Sequence, residues 1–243
     1  MRRVLFHWHG IRVYSYPAML YLGLVIGLIA QNYAAHVARL NALSVFVATL
    51  LLLIPALAGA RLLFVATHWE IYRNEPARIW RRSEGGAAMY GGLPFALLCS
   101  VPLLSLFSIP FGRFWDVAMV TIFIGMIFTK FGCLLHGCCG GRATKSRFSL
   151  LLPDANGKWE RRFPTQLLEA SWAAVLLLGI VGLWSRFPFD GAASLFAVAG
   201  YATGRFVFEC IRDDQGNTGR LTIGRVFSVS TAVIAMAVFF IMA

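Results

Sequence analysis

Along the chain, long apolar stretches alternate with short polar ones. Seven of the apolar stretches reach the roughly 20 residues a helix needs to cross a hydrocarbon core. They are Tyr16–Ala35, Leu43–Thr67, Gly91–Ile109, Phe114–Phe131, Pro164–Trp184, Ala192–Ile211 and Ile223–Met242. The pattern predicts an all-α integral membrane protein of about seven transmembrane helices, organised as one polytopic domain over 1–243. Gly91–Ile109 carries Pro94 and Pro102, which predict a kinked or partly re-entrant segment, because broken backbone at membrane depth needs protein or a cavity around it. Polar residues gather in a loop over 69–90 that ends in a glycine-rich entry to the third span, in an arm over 136–163 between spans four and five, and in a connection at 212–224. Met1-Arg2-Arg3 is followed by no apolar signal core before Gly10, so the first span is expected to act as the targeting signal.

Composition narrows the class. The chain is 58% hydrophobic and 14% charged, against about 45–50% and about 25% in soluble domains. Twenty Phe exclude a disordered chain, and five Cys are too few, and odd in number, for a disulfide scaffold. A formal charge of +11, from 22 Lys and Arg against 11 Asp and Glu, points to an anionic partner. Phospholipid headgroups are the anions every membrane protein meets. No nucleic-acid-binding motif accompanies the charge. With seven spans, the N-terminus and the loops after spans two, four and six share a side that carries nearly all loop cations, while the other side has little beyond Arg39, Arg113 and Arg186. Taken alone, the positive-inside rule puts the basic face in the cytoplasm.

Ionisable residues within apolar spans cost about 2.5–3.5 kcal/mol on insertion scales, so they are the first functional candidates. Arg61 lies in the second span, Lys130 closes the fourth, Glu169 lies one turn into the fifth, and Arg205 and Glu209 lie in the sixth. Arg205 and Glu209 are four residues apart and share a helical face, with Tyr201 one turn earlier. Such a pair is either a structural ion pair or an Arg held by its carboxylate to receive a phosphate on its planar fork. The densest segment is Lys130-Phe131-Gly132-Cys133-Leu134-Leu135-His136-Gly137-Cys138-Cys139-Gly140-Gly141-Arg142, whose glycines let backbone N–H groups approach an anion. Its Cys and His spacing is poor for tetrahedral zinc, which leaves a thiol nucleophile beside His136 or simply packed thiols. No metal and no cofactor are expected.

Together these residues resemble the prolipoprotein diacylglyceryl transferase family. The resemblance rests on six elements in order: His9–Met19 at the first span, Gly59-Ala60-Arg61-Leu62, the Gly-Gly-Ala-Ala-Met-Tyr-Gly-Gly run at 85–92, the stretch 130–142 at the place of the family signature, Arg162–Glu169, and Tyr201–Glu209. It implies transfer of the diacylglyceryl group of phosphatidylglycerol to the thiol of a lipobox Cys, with release of glycerol 1-phosphate. It also implies that Arg205 matches the family's essential Arg, Glu209 its partner, Tyr201 its neighbour and Tyr16 the first-span Tyr, with Gly141 and Arg142 closing the signature. Lys130 stands where the signature has Arg, Cys133 where it has Asn, Cys138 where it has Glu, Tyr90 where the family has His, and Phe163 where it usually has His.

The resulting expectation puts Arg205, Lys130 and Arg142 on the phosphate and His136 or Tyr90 near the acceptor, with Gly141, Glu209, Tyr201, Tyr16, Arg61, Cys133 and Glu169 lining the substrate site. The changes cluster on the acceptor side, so the acceptor is a lipobox thiol or a different thiol, hydroxyl or sugar. The alternative is a non-catalytic phospholipid-binding or translocating protein on the same fold. A third reading, a metal or thiol-redox membrane protein, would rest on Cys133, Cys138 and Cys139. The resemblance further implies a bacterial inner membrane location with the basic loops and the site on the periplasmic side, against the charge rule. Cations recruited for an anionic lipid are not bound by that insertion bias.

Overall fold

The structure is a computed structural model that describes residues 4–8, 11–73, 89–153, 158–211 and 223–243. A hairpin of β1 (Val4–Trp8) and β2 (Ile11–Tyr14) leads into α1 (Ser15–Val37), α2 (Ala42–Thr67), the single-turn α3 (Trp69–Tyr72), α4 (Met89–Leu106) and α5 (Phe111–His136). A second hairpin, β3 (Leu150–Pro153) and β4 (Trp159–Arg162), precedes α6 (Thr165–Gly182), α7 (Ala192–Ile211) and α8 (Ile223–Met242). The seven long helices stand where the seven apolar stretches put them. Among the described residues, α1, α2, α5, α6 and α8 are each long and apolar enough to cross a membrane. The α7 helix falls short in apolarity because it carries Arg205 and Glu209, but its 20 residues span about 30 Å at 1.5 Å per residue. This is a multi-pass membrane protein. Ile29, Ile54, Leu98, Leu178 and Ile234 are exposed, as expected of helices whose solvent is lipid rather than water.

The chain divides into two compact units, Ala35–Phe114 and the remainder, Met1–Ala34 with Trp115–Ala243. In the smaller unit Asn41 caps α2 by accepting the Ser44 N–H at 3.0 Å. The α4 helix lies close on α2, since a Cβ at Gly92 would come within 2.8 Å of the Ala56 carbonyl oxygen. The backbone is helical through both Pro94 and Pro102, and the apolar part of α4, Gly92–Leu106, is shorter than the five spans named above. Packed neighbours, rather than an intact ladder of hydrogen bonds, let membrane helices tolerate proline.

In the larger unit α1 packs on α5 through small residues. A Cβ at Gly23 would meet Phe128 at 2.7 Å, and one at Gly27 would meet Thr121 at 3.0 Å, so the helices touch backbone to side chain. Thr121 Oγ1 hydrogen-bonds the Gly27 carbonyl at 2.9 Å and the Gln31 side chain at 2.7 Å, which satisfies buried polar groups inside the contact. The start of α7 is held by a carboxylate from α5: Asp116 accepts the N–H groups of Gly191 and Ser194, both at 2.7 Å. Neither hairpin follows from the apolar pattern. Four-residue strands rich in charge, such as Trp159–Arg162, carry too little periodicity to register. The expected calls on 74–88 and on 212–222 lie outside the described residues.

Candidate active site

The charged centre is assembled by the way α6 meets α7. Gly200 and Gly204, one helical turn apart on α7, leave room that α6 fills: a Cβ at Gly204 would overlap the Trp172 indole and one at Gly200 would overlap Leu176. Trp172 Nε1 then donates to the Gly200 carbonyl at 3.0 Å. Glu169 lies one turn before Trp172 on α6, and Arg205 follows Gly204 on α7, so this contact of small residues delivers a carboxylate to a guanidinium.

Four charges from three helices join there. Glu169 takes Lys130 Nζ from α5 on its Oε2 and Arg205 Nη1 on its Oε1 at 3.5 Å. Arg205 Nη2 reaches Glu209 Oε2 at 3.0 Å, the i,i+4 pair expected from the spacing. Glu169 is 4% exposed and Arg205 11%, so solvent does little to screen the group. An unpaired ion at such a depth would cost several kcal/mol. Two cations and two carboxylates cancel formally, and each ion touches at least one of opposite sign. The first turn of α8 adjoins the outer carboxylate, since a Cβ at Gly224 would lie 3.1 Å from Glu209 Oε1. A helix N-terminus there favours negative charge. Tyr201 is half-buried one turn before Arg205 on the same helix. Tyr16 opens α1 beside α5, where a Cβ at Gly132 would come within 3.3 Å of the Tyr16 Cα.

The signature stretch ends α5 and turns back. Gly137 has a positive φ of 82°, and the N–H groups of Gly137 and Cys138 donate to the Leu134 and Cys133 carbonyls at 3.2 and 3.1 Å. This is a glycine-closed helix end, a conformation a side chain at 137 would strain. The helix therefore runs past Phe131, where the apolar stretch ends, and includes Cys133 and His136. The turn is fastened to the start of α6 and to the end of α7. Thr165 Oγ1 and Gln166 Nε2 donate to the Cys139 and Cys138 carbonyls at 2.7 and 2.6 Å, Gly141 N–H donates to Phe163 O at 2.9 Å, and Arg142 N–H donates to Ile211 O at 3.1 Å.

These bonds correct one expectation. The N–H groups of Gly137, Cys138, Gly141 and Arg142 point into the protein's own carbonyls, so they do not form an anion cradle. Gly141 is instead a packing glycine, because a Cβ there would meet Thr165 at 2.8 Å, Phe163 at 2.9 Å and the Ile211 oxygen at 3.0 Å. The Arg142 side chain is exposed. His136 ends α5 with Nδ1 buried and without a hydrogen-bond partner among the described residues. The sulfurs of Cys133, Cys138 and Cys139 gather within 4.8 Å of one another. Cys138, just beyond the membrane helix, has its thiol pKa raised: a hydrogen bond with Cys133 pulls it down, but Cys139 and burial push it up further.

Two expected residues belong to the smaller unit. Arg61 lies in the other unit, its guanidinium 5.7 Å from the Phe64 ring centre and 5.5 Å from that of Tyr72. Tyr90 falls in the first turn of α4, and its side chain is outside the described set. Two residues escaped the sequence reading. Arg162, counted only as a loop cation, is buried and donates from Nη1 to the Gly141 carbonyl at 3.2 Å. Gln166 is buried with Oε1 unpartnered among the described residues. The Arg162–Glu169 element carried both, but nothing in its spacing separates a buried arginine from a solvated one.

The centre thus offers half-buried cations that a phosphate can engage and, one and a half turns further along α5, an imidazole nitrogen with no hydrogen-bond partner among the described residues. Comparison with known proteins adds to this geometry. The family model of prolipoprotein diacylglyceryl transferase matches residues 3–241. A phosphatidylglycerol–prolipoprotein diacylglyceryl transferase 2 of Clostridium perfringens is 26% identical over 238 residues, covering 94% of this chain and 91% of the relative. A Clostridium botulinum phosphatidylglycerol–prolipoprotein diacylglyceryl transferase is 26% identical over 247 residues, with 99% and 96% covered. One from Clostridium kluyveri is 25% identical over 246 residues, with 98% and 96% covered. With the match running nearly end to end over seven long helices, the chain belongs to the prolipoprotein diacylglyceryl transferase family of membrane-embedded transferases.

Proposed function

We propose that this protein transfers the diacylglyceryl group of phosphatidylglycerol to an acceptor thiol, the lipobox Cys of a prolipoprotein, and releases glycerol 1-phosphate. The observation that carries this reading is Arg205, half-buried between Glu169 and Glu209 and joined to Lys130 through Glu169, in a chain matched by the family model over residues 3–241.

In this reaction the thiol sulfur forms a bond to the glyceryl carbon that carries the phosphate. The C–O bond to the phosphate breaks, its electron pair leaves with the glycerol phosphate, and the thiol proton passes to a base. Negative charge develops on the departing phosphate, so fixed cations aimed at it lower the barrier. Arg205 is the planar donor for that anion, held by carboxylates that keep it charged and oriented. Lys130 supplies a second charge without the two-pronged geometry of an arginine, and Arg142 meets the headgroup from the exposed loop. His136 takes the thiol proton through the buried Nδ1. Tyr90, with a phenol pKa of about 10 in its reference state, is a poorer base at neutral pH. Tyr16, Tyr201 and Gly141 shape the surroundings of the lipid. The site opens to the periplasmic face of a bacterial inner membrane, where secreted precursors emerge.

The test uses purified protein in detergent with phosphatidylglycerol and a lipobox peptide, and follows glycerol phosphate release. Release that depends on the peptide Cys and disappears with Arg205→Ala is expected. Lipid binding without release from any acceptor would favour the non-catalytic reading, and release with a membrane extract but not with the peptide would move the acceptor to another thiol, a hydroxyl or a sugar.

A further inference from the structure

The turn after α5 carries a group of donors that the transfer reaction does not use. The glycine-closed helix end brings Cys138 back over Cys133, as such ends bring the second residue past the cap against the last helical turn. Cys139 then adds a third sulfur, from a backbone with φ 62° in the left-handed region. All three Sγ atoms lie within 4.8 Å of one another. Three thiolates around one ion at a metal–sulfur distance of about 2.3 Å sit about 3.8–4.0 Å apart, in trigonal or tetrahedral arrangement. The sulfurs need to close by no more than about 1 Å to reach that geometry.

The frame that holds them is already built. Thr165 and Gln166 clamp the Cys139 and Cys138 carbonyls at 2.7 and 2.6 Å, so the turn does not have to be ordered by the ligand. Cys133 is buried, Cys138 half-buried and Cys139 exposed, which gives an approach from the outside inward. The donor set is soft sulfur throughout, with no carboxylate or imidazole among its mutually close atoms in the described residues. Such a set favours thiophilic ions and disfavours magnesium or calcium.

We propose that Cys133, Cys138 and Cys139 form a three-thiolate binding site for one thiophilic d10 cation, Cu(I) or Zn(II). Binding replaces three S–H protons with three metal–sulfur bonds and releases the protons to solvent; no electron changes hands. Cu(I) is satisfied by three sulfurs, whereas Zn(II) adds a water as fourth ligand. The site is independent of the transfer reaction proposed above.

The experiment uses the full chain in detergent, with any affinity tag removed, reduced by a phosphine and stripped with a chelator. One arm titrates Co(II), a coloured stand-in for Zn(II), and the other supplies Cu(I) against a competing chelator. The expected result is one ion per chain, with thiolate-to-cobalt charge-transfer absorption that Zn(II) abolishes, or Cu(I) retained against the chelator; the arm that saturates at the lower free concentration identifies the ion. Cys133→Ser, Cys138→Ser and Cys139→Ser should each weaken binding by at least about tenfold, while Cys99→Ser and Cys210→Ser leave it unchanged. Absence of both signals, or binding that survives replacement of all three cysteines, overturns the proposal. Should the triple variant fail to fold, alkylation of the wild-type protein decides: metal shields Cys138 and Cys139 but not Cys210 if the site exists, and equal labelling with and without metal overturns it. A disulfide among the three, recovered from unreduced protein in place of an ion, overturns it as well.

Discussion

The charge network around Glu169 and the turn that follows α5 draw on the same three helices, yet they treat polar groups in opposite ways. In the network, Lys130, Glu169, Arg205 and Glu209 come from three helices and every ion meets a partner. Beyond Lys130 on the same helix, the turn holds its backbone with hydrogen bonds but leaves the His136 Nδ1 without a partner among the described residues and brings three thiols to face one another. A neutralised cluster is already at its electrostatic optimum, so it positions a cation without needing a ligand. An unpartnered acceptor such as that nitrogen is at its optimum only when something binds or reacts there. The comparison separates a region that holds charge from a region that awaits chemistry.

Removing Arg205 is the strongest way to break it. Arg205→Ala should reduce glycerol phosphate release by about 10²–10³-fold, the loss typical of one donor to a developing anion, and Arg205→Lys should fall between, since it keeps charge without the fork. Turnover like that of wild type would remove Arg205 from the site. On the other side, His136→Asn should lower release by about 10²-fold while leaving phosphatidylglycerol binding close to that of wild type, as measured by lipid titration. If Tyr90→Phe carries that loss instead, the base lies in the first turn of α4.

Glu169→Gln tests the network as a structure rather than as a catalyst. It leaves Lys130 without its carboxylate and Arg205 with Glu209 alone, and breaking a buried pair from one side costs about 3–5 kcal/mol. Thermal unfolding in detergent should register that loss, whereas His136→Asn, which removes no ion, should leave the unfolding temperature nearly unchanged. The smallest effect is expected at Asp116→Asn, remote from both regions. It weakens the charged cap on α7 by about 1 kcal/mol and should leave glycerol phosphate release within about twofold, as a cap worth so little stability leaves the folded population intact; a large loss of release would mean that the α7 start, and not only Arg205, is coupled to the chemistry.

Much of this centre was legible in the chain. Arg205 and Glu209 lie four apart in an apolar run, and helical geometry alone pairs them. Glu169 and Lys130 stood out because ions are rare in such runs, but their meeting was not readable. It depends on Gly200, Gly204 and Trp172 fixing how α6 sits on α7, a contact between residues 28 or more apart in the chain. The same limit applies to the cysteines. Their spacing argues against a metal when read as a linear motif, and only the left-handed backbone at Gly137 and Cys139 folds three sulfurs into one place. Arg162 was missed for a related reason, because burial is a property of what packs around a side chain.

The sequence by itself determined that the chain forms seven apolar helices, where they begin and end to within a few residues, and which ions lie within them. Those outcomes rest on the transfer of side chains from water to hydrocarbon, which acts on each segment separately. Only the tertiary structure decided which ion meets which, that the N–H groups of Gly137, Cys138, Gly141 and Arg142 are spent on the protein's own carbonyls, and that three thiols converge at the end of α5. Those outcomes depend on contacts between distant segments, and such contacts are set by the fit of small residues against large ones rather than by any local pattern.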